Sequence, residues 1–277
     1  MANYNITFVI FTYNEANRIG RVIENFKGYG KILLADNNST DGTQEIAKAH
    51  GCEVYLRQKE YVFVENQELV DELYKHITTD WVYWGFADEM LEEKTLLQLQ
   101  TITASGKYDI ISIDRKNYFY GTYANNIYNS YTFKLFKKHA IDFTNNIIHG
   151  MGKPAVAADR VYKMPDQYFI HHFISNTASS YLNVINRYTD SELESVYEPH
   201  TSIWYLLIIV ARQAIKEFLF KRGYRSGFKG LALIELTLIY QLVKNMKHYE
   251  KAESLTTPTI EAKNNIYRDQ ILKQNLK

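Results

Sequence analysis

The chain has 277 residues, and its 32 lysine and arginine residues nearly balance its 31 aspartate and glutamate residues, which leaves a formal net charge of +1. A charge this small creates no long-range attraction for nucleic acid, so we expect no nucleic-acid partner. The single cysteine, Cys52, cannot form an internal disulfide, and the N-terminus lacks a signal-peptide pattern, so we expect a cytoplasmic protein.

The first half of the chain alternates short apolar runs with amphipathic segments. Residues 6–11, 31–35 and 52–56 are rich in β-forming residues, whereas residues 19–26 carry apolar side chains at helical spacing. Strands that alternate with helices predict βαβ units and a parallel sheet. The sequence therefore predicts an α/β fold with a mostly parallel central sheet flanked by helices.

Residues 81–87 form a further strand-like run, and Asp88 and Glu89 follow it directly. Open α/β sheets bind ligands beyond the carboxyl ends of their strands. Two carboxylates at such a place could hold Mg²⁺ or Mn²⁺ and, through the ion, a diphosphate. The alternative is that both acids only begin the next helix, where negative charge is favourable.

Later segments supply further candidates for a polar-ligand site. Residues 117–131 are crowded with tyrosine, phenylalanine and asparagine, and they predict a loop or hairpin that could cover a pocket. His171 and His172 end a strand-like run. Adjacent residues of a strand point to opposite faces, so at most one of these histidines enters a site.

From about residue 176 the pattern changes to long helices, which divides the chain into a part spanning residues 1–175 and a helical part spanning residues 176–277. An apolar run at 203–211 is followed by cationic residues. This pattern suits packing against the main domain, a partner subunit or the membrane interface. No apolar run approaches the roughly 18 residues that are needed to span a bilayer.

Three segments, in this order and spacing, resemble family 2 glycosyltransferases of the GT-A fold, and more closely the bacterial branch that decorates lipopolysaccharide cores and other surface glycans. They are residues 8–15 (FVIFTYNE), 34–43 (LADNNSTDGT) and 80–89 (DWVYWGFADE). Weaker likeness continues to about residue 250.

The resemblance implies a site for a nucleotide-sugar donor, which we expect to be a UDP-sugar. A carboxylate can accept the imide N–H of uracil, so Asp36 would bind the base. Lys134 is either a solvated strand residue or a group that neutralises the diphosphate. The other residues expected to border the nucleotide are Thr12, Tyr13, Glu15 and Asn38.

The resemblance also implies a divalent metal, Mn²⁺ or Mg²⁺. Asp88 matches the last aspartate of the family's D-x-D element and would bind the ion, with Glu89 assisting. Phe86 replaces the first aspartate of that element, so one contact to the ribose or to the metal is missing.

Transfer with inversion needs a base that removes the proton of the acceptor hydroxyl. His149 stands where related sequences often carry His-Glu, and histidine, with an ordinary pKa of about 6.5, suits this role. Asp159 and Asp142 are the alternatives if the fold brings one of them near. A histidine in a loop is also commonly a surface residue.

We therefore expect an enzyme that moves a sugar to a hydroxyl of a glycan or lipid-linked acceptor in surface polysaccharide or lipopolysaccharide biosynthesis. Peripheral contact with the inner face of the membrane and homo-oligomer formation are both compatible with this expectation. A nucleotidyltransferase is disfavoured because residues 11–15 do not form a Gly-rich, basic loop. A non-catalytic nucleotide-sugar-binding or scaffold member stays open because of Phe86 and Gly150.

Overall fold

The computed structural model describes residues 5–57, 66–127, 130–144, 146, 151–194 and 198–275. Its strands are β1 (Ile6–Thr12), β2 (Lys31–Asp36), β3 (Glu53–Leu56), β4 (Trp81–Phe86), β5 (Glu89–Leu91), β6 (Ile110–Phe119), β7 (Thr122–Tyr123), β8 (Ser130–Lys137), β9 (Ile141–Asp142), β10 (Lys153–Pro154), β11 (Val161–Lys163) and β12 (Phe169–Ile174). Its helices are α1 (Ile19–Phe26), α2 (Thr43–Ala49), α3 (Gln67–Tyr74), α4 (Glu93–Ala104), α5 (Ala178–Ser191), α6 (Ile203–Ile215), α7 (Gly227–Ala252) and α8 (Thr257–Asn275). A π-helical turn, Lys216–Phe220, continues α6.

The main sheet has the strand order β3-β2-β1-β4-β8-β6-β12-β5, and β7 and β11 also pair with β6. The strands β1 to β4 are mutually parallel, and β12 and β11 run parallel to β6. By contrast, β8 is antiparallel to both of its neighbours, and β5 is antiparallel to β12. The predicted α/β fold with a mostly parallel central sheet is confirmed.

Helices cover both faces of this sheet, as parallel strands require. The apolar sides of α1 and α4 pack into one core with Phe8 and Tyr83 of the sheet. On the other face, α3 packs into a second core with Trp84 and Phe136. Every residue of β1 is buried, which explains why its sequence reads as an unbroken apolar run.

The carboxyl ends of β1 and β4 form the topological switch point of the sheet. The chain leaves β1 to place β2 and β3 on one side and then returns to place β4 on the other side. Ligands of open α/β sheets bind in the crevice outside such a switch point. The fold therefore directs the loops after β1 and β4, which carry two of the resembling segments, toward one crevice.

The C-terminal helices add a third core. Leu233 and Ile234 of α7 and Ile185 of α5 pack against Phe119 and Ile127. In contrast, α6 buries none of its residues, and α8 is exposed along its length. The predicted boundary at residues 175 and 176 falls in the connection between β12 and α5, and the division into two parts stays a prediction.

Among the described residues, one helical segment, Gly223–Ala252, is long and apolar enough to cross a membrane by length and composition, contrary to our expectation from the sequence. Core helices of soluble domains share these properties. Leu233, Ile234 and Leu236 of this segment are buried in the third core. Length and composition alone therefore do not place the segment in a bilayer.

We expect the close packing of α7 against the rest of the protein to require glycine at position 230. A Cβ atom at this position would clash with the carbonyl oxygen of Gly223 and lie 2.8 Å from Cβ of Ser226. Because overpacking costs about 1–3 kcal/mol, Gly230→Ala should lower the free energy of unfolding by that amount in urea denaturation.

Gly20→Ala is the matched control, since Gly20 also lies in a helix but its added Cβ would make only ordinary contacts, 3.6 Å or more from His50 and Ile46. This change should be neutral or stabilise by about 0.5–1 kcal/mol. Equal effects of the two substitutions would contradict the close approach described at Gly230.

Candidate functional site

A cleft of about 440 Å³ opens at the carboxyl ends of β1 and β4. The loops that follow these strands line one side of the cleft, and α5 and α7 line the other. This volume lies within the usual range for small-ligand sites. The residues that the two helices contribute are Tyr181, Val184, Ile185, Arg187, Tyr188, Thr237, Tyr240 and Gln241.

The loops after β1 and β2 are held together by hydrogen bonds between their polar residues. The backbone N–H of Asn14 donates to Oγ of Ser39 at 2.8 Å, and the N–H of Thr40 donates to Oδ1 of Asn14 at 2.9 Å. The N–H of Glu15 donates to Oγ1 of Thr43 at 2.7 Å. Asn14 adopts a left-handed backbone conformation with φ of 55°, which asparagine tolerates well. The first two resembling segments thus form one rigid edge of the cleft.

Asp36 is buried beneath these two loops and connects them by hydrogen bonds. Its carboxylate is fully buried and accepts hydrogen bonds from Oγ1 of Thr12, from both N–H and Oγ of Ser39, and from Nε2 of Gln44, at 2.6–2.8 Å. Asp36 does not line the cleft, and each of its oxygens already has two donors. Because groups of the protein already donate to both carboxylate oxygens, the expected contact between Asp36 and a base does not fit this geometry.

Asn37, the next residue, faces the cleft. Its side chain is 5% exposed, and its buried Oδ1 accepts no hydrogen bond from any described residue. Asn38, which we expected at the nucleotide, is exposed, does not line the cleft and donates from Nδ2 to the carbonyl of Arg57 at 3.0 Å. Sequence reasoning missed Asn37, although its place between two selected residues of the same loop was a signal.

The loop after β1 does reach the cleft. Thr12, Tyr13 and Glu15 all line it, and their place at a nucleotide stays a prediction. Glu15 forms an ion pair with Arg18 of the same loop. Burial raises the pKa of the Glu15 carboxyl, and Arg18 offsets part of this effect.

Asp88 and His172 form an ion pair that faces the cleft. Nε2 of His172 lies 3.2 Å from Oδ2 of Asp88, whose side chain is 28% exposed. Nδ1 of His172 lies 2.6 Å from Oδ1 of Asn117, and the amide of Asn117 is oriented by its own donation to the carbonyl of Ile127 at 3.1 Å. Both ring nitrogens therefore lie close to oxygen atoms of neighbouring side chains, which hold the imidazole in this orientation.

This pairing keeps Asp88 ionised. Burial alone would raise the pKa of its carboxyl, but the attraction and hydrogen bond of His172, with Arg18 and Arg115 nearby, lower that pKa to about 2. On the other face of β12, His171 contacts the hydroxyl of Tyr118 at 2.8 Å. Only one of the two adjacent histidines thus enters the cleft, in agreement with their strand geometry.

Glu89 and Lys134, by contrast, bind each other. Both side chains are fully buried, and Nζ of Lys134 lies 2.8 and 2.7 Å from the two carboxylate oxygens of Glu89 and 3.0 Å from the carbonyl of Trp84. Burial lowers the pKa of Lys134, although Glu89 opposes this shift. Neither side chain lines the cleft. The expected roles of Glu89 at a metal and of Lys134 at a diphosphate do not fit this geometry, because the pair occupies both groups.

Arginine supplies the positive charge of the cleft instead. Its described lining residues include four arginines, Arg18, Arg57, Arg115 and Arg187, and two carboxylates, those of Glu15 and Asp88. Nε of Arg115 is buried without a hydrogen-bond partner. Guanidinium groups bind phosphate oxygens well, so the cleft favours an anionic ligand.

A divalent cation would find two protein ligands in the cleft. Asp88 offers a carboxylate oxygen, and His172 offers Nε2 once its proton is lost. Within the described ranges, no cluster of three or more metal-ligating side chains occurs. Mg²⁺ is usually bound by one or two carboxylates together with substrate phosphates, so a site with few protein ligands fits a cation that a diphosphate completes.

Of the two predicted bases, His149 lies outside the described residues, and Asp159 is not among the described residues that line the cleft. Asp159 is exposed and directly precedes β11, which pairs with the first residues of β6. Ile110 of β6 pairs with Phe136 of β8, and Phe136 pairs with Val82 near the start of β4. Because the cleft opens at the carboxyl end of β4, this end of β6 lies at the opposite end of the sheet.

Comparison with known proteins gives a family match. A family model described as glycosyl transferase family 2 matches residues 7–160. An uncharacterized glycosyltransferase of Rickettsia typhi, RT0209, is 33% identical over 104 residues, which are 37% of this chain and 34% of that protein. Protein RfbJ of Shigella flexneri is 39% identical over 56 residues, which are 19% of this chain and 43% of that protein. The chain thus spans less than half the length of these relatives.

The fold is also similar to solved structures. Residues 1–349 of S. aureus TarS, in complex with UDP-GlcNAc, align with a TM-score of 0.47 and 13% identity over 80% of this chain and 73% of that chain. The mannosyltransferase PcManGT from Pyrobaculum calidifontis, in complex with GDP-Man and Mn²⁺, aligns with a TM-score of 0.43 and 15% identity over 97% of this chain and 80% of that chain. Similarity at this level transfers neither a ligand nor a reaction.

Breaking the buried ion pair should destabilise the protein strongly. Lys134→Met and Glu89→Gln should each lower the free energy of unfolding by about 3–5 kcal/mol in urea denaturation, because Glu89→Gln leaves Lys134 buried without a carboxylate and Lys134→Met leaves Glu89 with the more distant Arg115, at 3.6 Å. The double variant should lose much less than the sum of the two losses.

The exposed pair of Lys27 and Glu24 provides the control for these substitutions. Lys27→Met and Glu24→Gln should each change stability by less than about 1 kcal/mol. Additive losses in the Lys134 and Glu89 cycle would show that the two side chains do not interact as described.

Asp88 should make folding sensitive to acid. Because folding lowers its pKa from 3.8 to about 2, ionised Asp88 stabilises the folded protein above the higher value, and this contribution is lost as the pH falls toward the lower one. Between pH 3.8 and about pH 2, the free energy of unfolding of the wild type should fall by about 1–2 kcal/mol more than that of Asp88→Asn, as measured by urea denaturation. Asp159→Asn, at an exposed site, should behave like the wild type, and identical pH profiles for all three proteins would contradict the Asp88–His172 pair.

Proposed function

Because the chain belongs to glycosyl transferase family 2, we propose that its cleft binds a nucleotide-sugar donor and transfers the sugar to a hydroxyl group. The observation that carries this proposal is the position of ionised Asp88, with Arg18 and Arg115 nearby, in a cleft at the switch point of the sheet that Arg57 and Arg187 also line. A nucleoside diphosphate matches that charge pattern, since arginines can hold its phosphate oxygens. The transferred sugar would lie next to Asp88.

The donor's base would be bound by Asn37. Its buried, unpaired Oδ1 can accept the imide N–H of uracil, while its Nδ2 donates to a ring carbonyl. Cytosine lacks that N–H and would leave the buried oxygen unpaired, which costs binding free energy. We therefore propose a UDP-sugar as donor. Thymine presents the same imide N–H and carbonyls as uracil, and guanine presents a similar N–H and carbonyl on a larger ring, so dTDP- and GDP-sugars are the main competitors.

Asp88 and His172 would hold Mn²⁺ or Mg²⁺ between them and the diphosphate. When bound, the cation supplies positive charge that offsets the charge of the departing nucleoside diphosphate. Arg115 would act on the same group, because its buried Nε lies in the cleft without a partner. Phe86 also lines the cleft, in the place where the resembling family carries the first aspartate of its D-x-D element.

The acceptor would occupy the half of the cleft that α5 and α7 line. Tyr181, Tyr188 and Tyr240 line that half, and tyrosine rings suit a polar acceptor such as a glycan or the head of a lipid-linked sugar. Inverting transfer would need a base, and His149 stays our prediction for it. The link to surface polysaccharide or lipopolysaccharide biosynthesis rests on the sequence resemblance.

Donor binding can be tested by thermal shift and calorimetry with UDP-, GDP-, CMP- and dTDP-linked sugars, each with and without Mn²⁺, because a ligand of the native state raises its apparent stability. We expect a UDP-sugar to bind most tightly and Mn²⁺ to strengthen that binding. Asp88→Asn should abolish the effect of the metal and all sugar transfer. Binding without any turnover in the wild type would favour a non-catalytic member of the family.

The same measurement tests the base contact. Asn37→Leu should weaken UDP-sugar binding about 10-fold or more, because two hydrogen bonds are lost in a buried place. Asn264→Leu, at an exposed position of α8, is the matched control and should leave the affinity unchanged. Wild-type affinity in Asn37→Leu would refute the proposed base site, and the absence of binding to any nucleotide would refute the donor site altogether.

A further inference from the structure

The solvent face of α6 is apolar, which is the reverse of an ordinary surface helix. Leu206, Val210 and Gln213 turn inward and are partly covered. The opposite stripe contains Trp204 and Ile208, which are 73% and 56% exposed. Such a helix has its apolar side toward water in the isolated protein.

The same apolar character continues beyond α6. Leu219 and Phe220 of the π-helical turn are 55% and 79% exposed, and Phe228 at the start of α7 is 76% exposed. Because α6 and the π-helical turn pack against α7, these residues belong to neighbouring elements. We use the term "α6–α7 surface" for Trp204, Ile208, Ile215, Leu219, Phe220 and Phe228.

The segment that carries the α6–α7 surface is rich in cationic residues. Between residues 203 and 232 the sequence contains a single acid, Glu217, and its side chain is buried. The cations of that segment are Arg212, Lys216, Lys221, Arg222, Arg225 and Lys229. This excess of positive charge is local, since the whole chain has a net charge of only +1. Exposed apolar and aromatic side chains that are interspersed with cations are typical of helices that lie in a membrane interface.

We propose that the α6–α7 surface binds the face of a lipid bilayer that contains anionic lipids. Its aromatic and aliphatic side chains would enter the boundary between head groups and acyl chains, and the cations would contact lipid phosphates. A second copy of the chain fits less well, because a two-fold symmetric contact would bring the same cations of both copies together. Charge complementarity therefore selects the anionic bilayer.

The surface also relates to the cleft. Thr237, Tyr240 and Gln241 of α7 line the cleft, while Phe228 of the same helix belongs to the α6–α7 surface. A bilayer bound there would lie along one of the helices that form the acceptor half of the cleft. This consequence, which rests on the proposed function, favours an acceptor that is carried by a lipid. Bilayer binding itself requires no donor and no catalysis.

The test is co-sedimentation of the full chain with vesicles of phosphatidylcholine alone and of phosphatidylcholine mixed with phosphatidylglycerol in about a 3:1 ratio. The protein should sediment with the anionic vesicles, and rising salt should weaken this binding. The triple variant Trp204→Glu, Phe220→Glu, Phe228→Glu should bind about 10-fold or more weakly. The variant Arg212→Gln, Lys216→Gln, Arg225→Gln should lose the preference for anionic vesicles.

A charge-matched control carries glutamate at Leu56, Leu97 and Leu182, which are 48%, 49% and 45% exposed and lie outside the surface. It should bind vesicles more tightly than the Trp204 triple variant. Wild-type binding in both triple glutamate variants, or no binding by the wild type, would overturn the proposal. Resistance to alkaline carbonate extraction, which indicates a spanning helix, would also overturn it. The same holds if the Trp204 triple variant converts a dimer to a monomer without a change in vesicle binding.

UDP-sugar binding measured on the same variants separates this proposal from the proposed function. Each variant should keep the donor affinity of the wild type, which also shows that it has folded. Loss of vesicle binding with donor binding intact supports the surface, whereas a wild type that binds vesicles but no donor would contradict the proposed function alone.

Discussion

The buried ion pair between Lys134 and Glu89 fixes the loop on which the candidate site depends. Lys134, in β8, donates both to the carbonyl of Trp84 near the end of β4 and to the carboxylate of Glu89 at the start of β5. These two contacts lie on either side of Asp88. The main chain of Asp88 is held as well, because its carbonyl accepts from the N–H of Phe173 at 2.8 Å. Asp88 and its partner His172 therefore occupy positions set by the sheet itself.

A buried ion pair contributes little to stability by itself, because desolvating both charges offsets most of their attraction. Its contribution here is geometric, since it requires β4, β5 and β8 to meet in one arrangement. The loops after β1 and β2 follow the same principle. Asp36 is buried beneath them, and the bonds that it accepts from Thr12 and Ser39 hold one loop against the other. Buried carboxylates thus organise both edges of the cleft.

This arrangement explains why sequence reasoning identified loops that border the cleft but did not determine which of their side chains face it. Asp36 and Glu89 are the supports, whereas their neighbours Asn37 and Asp88 face the cleft. Composition and order identify the end of a strand, but they do not determine which of two adjacent polar residues turns inward. That choice depends on partners distant in sequence, such as Lys134 for Glu89, which no local pattern reveals.

The fold was more predictable than the site. Apolar runs of strand length that alternate with amphipathic segments indicated the parallel sheet, because buried parallel strands have no polar face. Arg115 and His172 were harder to place, since they enter the cleft from β6 and β12 only through the pairing of strands far apart in the chain. The apolar run of α6 was ambiguous between packing and a membrane contact.

The ambiguity of α6 has a physical origin. An apolar run has the same composition whether its partner is the protein core or a lipid bilayer, and the two cases differ only in what covers it. In the folded chain, the inward side of α6 is only partly covered and includes the polar Gln213, and the π-helical turn that continues α6 buries Glu217. The wider, apolar side of α6 faces solvent, and the residues that follow in the sequence include several cations. That side of α6 therefore does not contact the core, and the cations near it favour an anionic bilayer over a second copy of the chain.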